Sequence, residues 1–166
     1  HDRLTGLTER ISVSTNGDEG AGSSGDPILS ADGMIVAFQS SAPNLVAGDT
    51  NGTRDIFVRD RQAGTTVRVS VSSTGGEAND HSQEAAVSAD GRFIAFTSLA
   101  SNLVAGDTNG HRDVFVHDRQ TGMTVTFPRF DGHQRSGQND RGDPCVQTSP
   151  TYLHPRAESR GRSPRA

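Results

Sequence analysis

The chain of 166 residues has no lysine, no tryptophan and only one cysteine, Cys145. A single cysteine excludes an internal disulfide and a zinc site built from several cysteines. The glycine-rich segment Gly20–Asp26 lacks the lysine and the following helix that a phosphate-binding loop needs. Aromatic residues make up only 5% of the chain, which is little material for a helical core.

Long apolar runs and clusters of basic charge are missing as well. No stretch approaches the roughly 20 consecutive apolar residues that cross a bilayer, so we expect no membrane span. The formal net charge is −4, whereas attraction to nucleic acid would need a clustered basic face. No GxSxG elbow, Ser/Asp/His set or metal-ligand spacing of histidines appears. We therefore expect no enzymatic activity and no nucleic-acid partner.

What the chain does contain is an internal repeat with an offset of 58 residues. The tetrapeptide SADG occurs at Ser30–Gly33 and again at Ser88–Gly91. An ungapped alignment of the 35 positions Pro27–Arg61 with Ala85–Arg119 has 23 identities. Because residues 1–3 match the end of the same unit, we expect the chain to begin inside an earlier repeat and to be a piece of a longer protein.

Within one repeat, apolar residues alternate with a period of two, which predicts four short strands separated by turns. In the first copy these strands are expected at 27–30, 34–40, 55–60 and 65–72. Gly33 is expected to supply the positive φ of the first hairpin turn. Val67, Val69 and Val71 alternate with polar residues, which predicts a half-buried outer strand. No segment carries a helical period, so the predicted fold class is all-β.

The pattern shared by the two copies, PxxSxDGxxxAFxSxAxNLVxGDTNGxRDxFVxDRxxG, resembles the WD40-like, TolB-type repeat, also called the PD40 repeat. The resemblance covers residues 1 to about 127 and implies a β-propeller whose blades are four antiparallel strands. It divides the chain into the end of a preceding blade at 1–14 and two blades at 15–72 and 73–127. The insert between the second and third strands is longer than a minimal blade needs.

Two blades do not complete a propeller, which closes with about four to eight. We therefore expect an open fragment, or several copies that associate to build a ring. The repeat stops before residues 128–166, which hold five of the seven prolines and seven of the 16 arginines. This composition predicts a disordered tail, or one read in a shifted frame.

The resemblance implies a scaffold that binds a protein or a small ligand across the central opening of the ring, in a periplasmic or secreted setting. An alternative is the propeller portion of a larger hydrolase, such as a prolyl-oligopeptidase-like peptidase, where it would gate substrate entry. A third alternative is a calcium-dependent binding module.

The calcium alternative depends on one loop that occurs in both copies. Oxygen-bearing side chains recur there with a spacing similar to that of calcium loops, at Asp49, Asn51 and Asp55 and again at Asp107, Asn109 and Asp113. Position 5 of the loop is Thr53 in one copy and His111 in the other, so a structural turn is the preferred interpretation. In that interpretation Gly52 is left-handed, and Asp55 caps the loop or pairs with Arg54 or a neighbouring blade. No other cofactor is predicted.

Two further sets of repeated residues are expected to be structural. Asp60-Arg61 and Asp118-Arg119 are interpreted as turn contacts or salt bridges between strands or blades. The recurring aromatic residues are predicted to pack in the core rather than to bind bases, and they are Phe38, Phe57, Phe96 and Phe115.

Overall fold

The computed structural model describes residues 1–126, which contain eight strands and no helix. The strands are β1 (Ser24–Leu29), β2 (Ile35–Ser40), β3 (Asp55–Asp60), β4 (Thr65–Arg68), β5 (Ser82–Val87), β6 (Phe93–Ser98), β7 (Asp113–Asp118) and β8 (Met123–Thr126). They form two separate antiparallel sheets, ordered β1-β2-β3-β4 and β5-β6-β7-β8, and neither sheet closes on itself. The all-β prediction is confirmed for this part of the chain. The tail predicted at 128–166 lies outside it.

A helix that could cross a bilayer is not found anywhere in residues 1–126. The two sheets lie within the ranges 15–72 and 73–127 that the repeat defines.

The two sheets have the same strand register, shifted by 58 residues. β2 and β3 pair from Ile35 opposite Asp60 to Ser40 opposite Asp55, and β6 and β7 pair at the matching positions. The third strand of the first copy has the predicted bounds, and Gly33 has the predicted positive φ, 69°. A repeated sequence therefore produces a repeated pairing.

The first strand of each sheet is longer than predicted, because a bulge interrupts it. β1 begins at Ser24 instead of residue 27, and its register shifts between Gly25 and Ile28. Asp26 within this bulge has a φ of 49°, and Glu84 in the matching bulge of β5 has a φ of 58°. Positive φ is uncommon for residues other than glycine, so neither bulge could be predicted from the residue types.

The fourth strand is shorter than predicted and ends at Arg68 instead of residue 72. The Val69 N–H still donates to the Ile56 carbonyl at 2.9 Å, but a turn closed by Ser72 and Gly76 then leads the chain away. The predicted half-burial is also wrong. Ser70, one of the polar residues that alternate with the valines, has no exposed surface. Its hydroxyl forms hydrogen bonds within the protein, as buried polar groups generally do.

Side chains alternate along a strand, so each sheet has two faces. We call the face of the first sheet that carries Ile35 and Ile56 its back face and the face that carries Phe38 and Phe57 its front face, and we use the same names for the matching positions of the second sheet. The back face of the first sheet packs against the front face of the second and forms the larger core. Its buried members are Ile35, Ala37, Ile56, Val58, Val69 and Ala78 from the first repeat and its connection, and Ile94, Phe96, Ala100, Leu103 and Phe115 from the second. A smaller core on the front face of the first sheet contains Phe38, Ala42, Leu45 and Phe57, with Ile11 packed against it.

The phenylalanines are packing residues, as predicted. The rings of Phe38 and Phe57 stack with centroids 5.9 Å apart, and those of Phe96 and Phe115 with centroids 5.8 Å apart. Such pairs add about 0.5–1.5 kcal/mol to the effect of burial.

Polar contacts also join the two sheets. Arg119 Nη2 lies 3.4 Å from Asp60 Oδ2, so this repeated Asp-Arg pair forms the predicted bridge. The Ala31 N–H donates to the Ala89 carbonyl at 3.0 Å. These contacts fix the second sheet on the back face of the first.

Candidate functional site

The loop before β3 is the turn that the sequence predicts. The Thr53 N–H donates to Asn51 Oδ1 at 3.0 Å, and Gly52 has a φ of 66°. In the second copy the His111 N–H donates to Asn109 Oδ1 at 2.6 Å. Both asparagines therefore form the Asx turns that hold the loop in place ahead of the third strand.

Asp55 begins β3 with a fully buried side chain, and its carboxylate accepts hydrogen bonds on both oxygens. Ser70 Oγ donates to Oδ1 at 2.6 Å, and Asn51 Nδ2 donates to Oδ2 at 2.8 Å. Buried carboxylates need such donors, because an unpaired charge away from water is costly. Asp55 thus ties the loop to the segment that follows β4.

The positive charge at this site comes from Arg68, at the end of β4. Its Nη1 lies 3.0 Å from Asp49 Oδ1 and 3.6 Å from Asp55 Oδ2, and its Nη2 lies 3.2 Å from Glu77 Oε1. The side chain of Arg68 is 7% exposed, and those of Asp49 and Asp55 are 6% and 0% exposed. Of the alternatives expected for Asp55, the structure shows the loop cap, through Asn51. Its ion-pair partner is Arg68 instead of Arg54, because β3 pairs with β4 and places Arg68 beside it.

We call these four residues, Asp49, Asp55, Arg68 and Glu77, the Arg68 cluster. Burial raises the pKa of both Asp49 and Asp55, and the nearby Arg68 guanidinium only partly opposes it. Burial also acts to raise the pKa of Glu77, but hydrogen bonds from Arg68 and Thr50 outweigh it and leave the pKa lowered. With three carboxylates around one guanidinium, the cluster has a net negative charge when all four groups are ionised.

In the second copy the arginine of this cluster is replaced, since Thr126 stands 58 residues after Arg68. Asn109 Nδ2 donates to Asp113 Oδ2 at 2.6 Å, as in the first copy. Within residues 1–126, no group of three or more His, Cys, Asp or Glu side chains is arranged to hold a metal ion. Calcium binding at Asp49, Asn51 and Asp55 and at Asp107, Asn109 and Asp113 stays a prediction, which melting with calcium against chelator would test.

Sequence reasoning missed Arg68 and Glu77 as partners, although a repeat signal was present. Arg10 and Glu19 stand 58 residues before them and form an exposed ion pair. A basic and an acidic residue nine apart, at positions 10 and 19 and again at 68 and 77, could have indicated contact across the turn between them.

His117 is a second polar residue that the sequence did not single out. Its Nδ1 lies 2.9 Å from Thr124 Oγ1, and burial lowers its pKa, with Arg119 adding to the effect and Asp118 opposing it. In the first copy Arg59 occupies the matching position and donates to Thr66 Oγ1 at 3.2 Å. Two different side chains therefore make the same link between the third and fourth strands.

Two carboxylates lie on the first strands, each of which pairs with only one neighbouring strand. Asp26 Oδ2 accepts a hydrogen bond from Gln39 at 2.5 Å. Glu84 Oε2 accepts one from Thr97 Oγ1 at 3.1 Å, and Glu84 Oε1 is 3.9 Å from Arg112 Nη1. Both residues are exposed and sit in bulges with unusual φ values. A bulge can aim a side chain out of the regular sheet, so both acids can reach a ligand.

Comparison with known proteins adds no relative to this geometry. No family model matches the chain, and no curated protein matches it.

Proposed function

We propose that the two sheets are successive blades of a TolB-type β-propeller and that the protein is a non-enzymatic scaffold for a protein or small ligand. We also propose that the protein is located in the periplasm or is secreted. The support is the stacking of two sheets of equal register, back face to front face, at one sequence offset. Radial repetition of such sheets is how a propeller protects its strand edges.

The observation that carries the binding role is the repeated bulge on the first strands. Asp26 and Glu84 stand 58 residues apart, and both have positive φ and exposed side chains. In a propeller the first strands would line the central opening, so the bulges would present carboxylates there. A partner with N–H donors or positive charge is the ligand class that such groups bind.

Site-specific photo-crosslinking tests this proposal. A photoreactive amino acid would replace Asp26 or Glu84, and in matched controls it would replace Gln62 or Gln120 in the turns between third and fourth strands. All four positions are exposed. We expect the same partner to be crosslinked from positions 26 and 84 and not from 62 and 120. Equal crosslinking from all four positions would contradict the proposal. A GxSxG segment in the reading frame on either side of this sequence would favour the hydrolase alternative.

A further inference from the structure

The back faces of the two sheets differ in exposure, although apolar residues stand at matching repeat positions on both. Ile35 and Ile56 on the first sheet are 7% and 0% exposed. Phe93 and Val114, at the matching positions of the second sheet, are 40% and 51% exposed. Residues 1–126 therefore bury this apolar surface in one copy and leave it open in the other.

The contacts of the first back face show what kind of surface covers it. Ile35 lies against Gly91, where an added Cβ would be only 2.5 Å from Ile35 Cγ1. At the edge of the same interface Asp60 meets Arg119. The partner of a back face is thus the front face of a sheet of the same type, with a glycine opposite the large apolar residue.

The chain carries a second front face with these features, on the first sheet. Gly33 and Arg61 stand at the positions of Gly91 and Arg119. An added Cβ on Gly33 would have no atom closer than 3.7 Å, so the space that Ile35 fills beside Gly91 is open beside Gly33. Leu29 on this face is 57% exposed, and Leu7 in the preceding segment is 69% exposed.

We propose that the open back face of the second sheet binds the front face of the first sheet in a second copy of this chain. Repeating the observed interface places Phe93 against Gly33 of the second copy and Asp118 near its Arg61. Arg61 would exchange its present partner, Glu9, for Asp118. The contact is head to tail, so it leaves one open face at each end and allows rings or longer assemblies. The inference rests on the proposal that the sheets are successive blades.

The association of the full chain, measured by sedimentation velocity over a wide concentration range, tests this inference. We expect the mass to rise from 17.5 kDa toward multiples of that value as concentration increases. Val114→Lys should weaken association at least about tenfold, because it would bury an unpaired charge in the contact. Val67→Lys is the matched control. Val67 is also a strand valine, 44% exposed despite the packed second sheet, so its substitution should leave association unchanged.

A front-face variant distinguishes head-to-tail binding from back-to-back binding. Leu29→Lys should also yield monomers, and mixing it with Val114→Lys should restore dimers, since each variant keeps the face that the other lacks. Back-to-back binding would leave Leu29→Lys associated, and that result would overturn the proposal. Each variant's circular dichroism melt should match the wild type, which checks that it folds.

A monomeric wild type at high concentration would also overturn the inference. Strong protection of β7 from hydrogen exchange in that monomer would identify residues 127–166 as the segment that covers the face. If the monomer still crosslinked a partner from positions 26 and 84, only this inference would fail. If the chain associated but those positions crosslinked nothing, only the scaffold proposal would fail.

Discussion

At the scale of single residues, Arg68 is one position where the two copies differ in charge. Its guanidinium contacts three carboxylates from three segments of the chain, and Thr126 takes its place in the second copy. A guanidinium suits this position because its five N–H donors form a rigid fork that can serve several carboxylates at once. The first copy therefore depends on one side chain for the charge balance of its longest loop.

Replacing Arg68 with methionine should destabilise the protein by about 3–5 kcal/mol, because it leaves Asp49 and Asp55 buried without their counter-ion. Urea unfolding at neutral pH measures the change. Arg10→Met is the matched control, since Arg10 occupies the same repeat position but is 56% exposed in its pair with Glu19. The control should change stability by less than about 0.5 kcal/mol. Equal effects of the two substitutions would contradict the role given to burial.

At the scale of elements, the hairpin turns between third and fourth strands form from local interactions. Asp60 Oδ1 accepts the N–H groups of Gln62 and Ala63, and Gly64 has a φ of 68°. Asp2 accepts the N–H groups of two following residues in the same way, although no strand flanks it. The turn therefore does not depend on the sheet, because its hydrogen bonds join residues two or three apart in the sequence.

The β7–β8 hairpin should weaken in mild acid through His117. Its lowered pKa means that the unfolded chain binds a proton more readily than the folded one as pH falls below the usual value of 6.5. Stability should therefore be complete above that pH and fall as pH drops toward the lower folded value.

Urea unfolding between pH 7.5 and 5 measures this effect. His117→Gln should flatten the pH dependence, by at most about 1.4 kcal/mol per pH unit, which is the limit for one proton. His111→Gln, in an exposed loop, is the control and should keep the wild-type slope. An unchanged slope in His117→Gln would show that this histidine does not couple to folding.

At the scale of the whole molecule, the contact between the first and second sheets includes close packing at one glycine. Gly91 and Gly33 have nearly equal φ values, 70° and 69°. They differ only in what surrounds them, since Ile35 contacts Gly91 and Gly33 is open. The pair therefore separates the effect of conformation from the effect of packing between sheets.

Gly33→Ala should cost about 1–2 kcal/mol, the conformational penalty of alanine at positive φ. Gly91→Ala should cost about 1–3 kcal/mol more, because its Cβ would overlap Ile35 and push the sheets apart. Thermal and urea unfolding measure both. Equal losses would indicate that the second sheet does not pack on the first in solution.

A double-mutant cycle offers an independent measure of the same interface. Asp60→Asn and Arg119→Met, alone and together, should reveal a coupling energy of about 0.2–1 kcal/mol, as expected for a partly exposed ion pair. The asparagine keeps an oxygen for the turn, so the cycle isolates the charge interaction. A coupling energy of zero would mean that this bridge contributes nothing to the contact between sheets.

The sequence alone was sufficient to predict the repeat, the all-β class, the bounds of β3 and the turns at Gly33 and Gly52. These features depend on side-chain alternation and on hydrogen bonds between residues close in the chain, which a sequence displays directly. The packing role of the phenylalanines followed as well, because they recur at matching positions of the second and third strands in both copies.

Only the tertiary structure decided which polar residues are buried and which apolar faces stay open. Arg68 is one of the polar residues that alternate with the valines of its strand, yet its side chain is buried among acids 9 to 19 residues away in the sequence. Ile56 and Val114 have matching surroundings in the sequence, but one is fully buried and the other about half exposed. Burial depends on which distant segment covers a surface, and local sequence patterns carry no information about that neighbour.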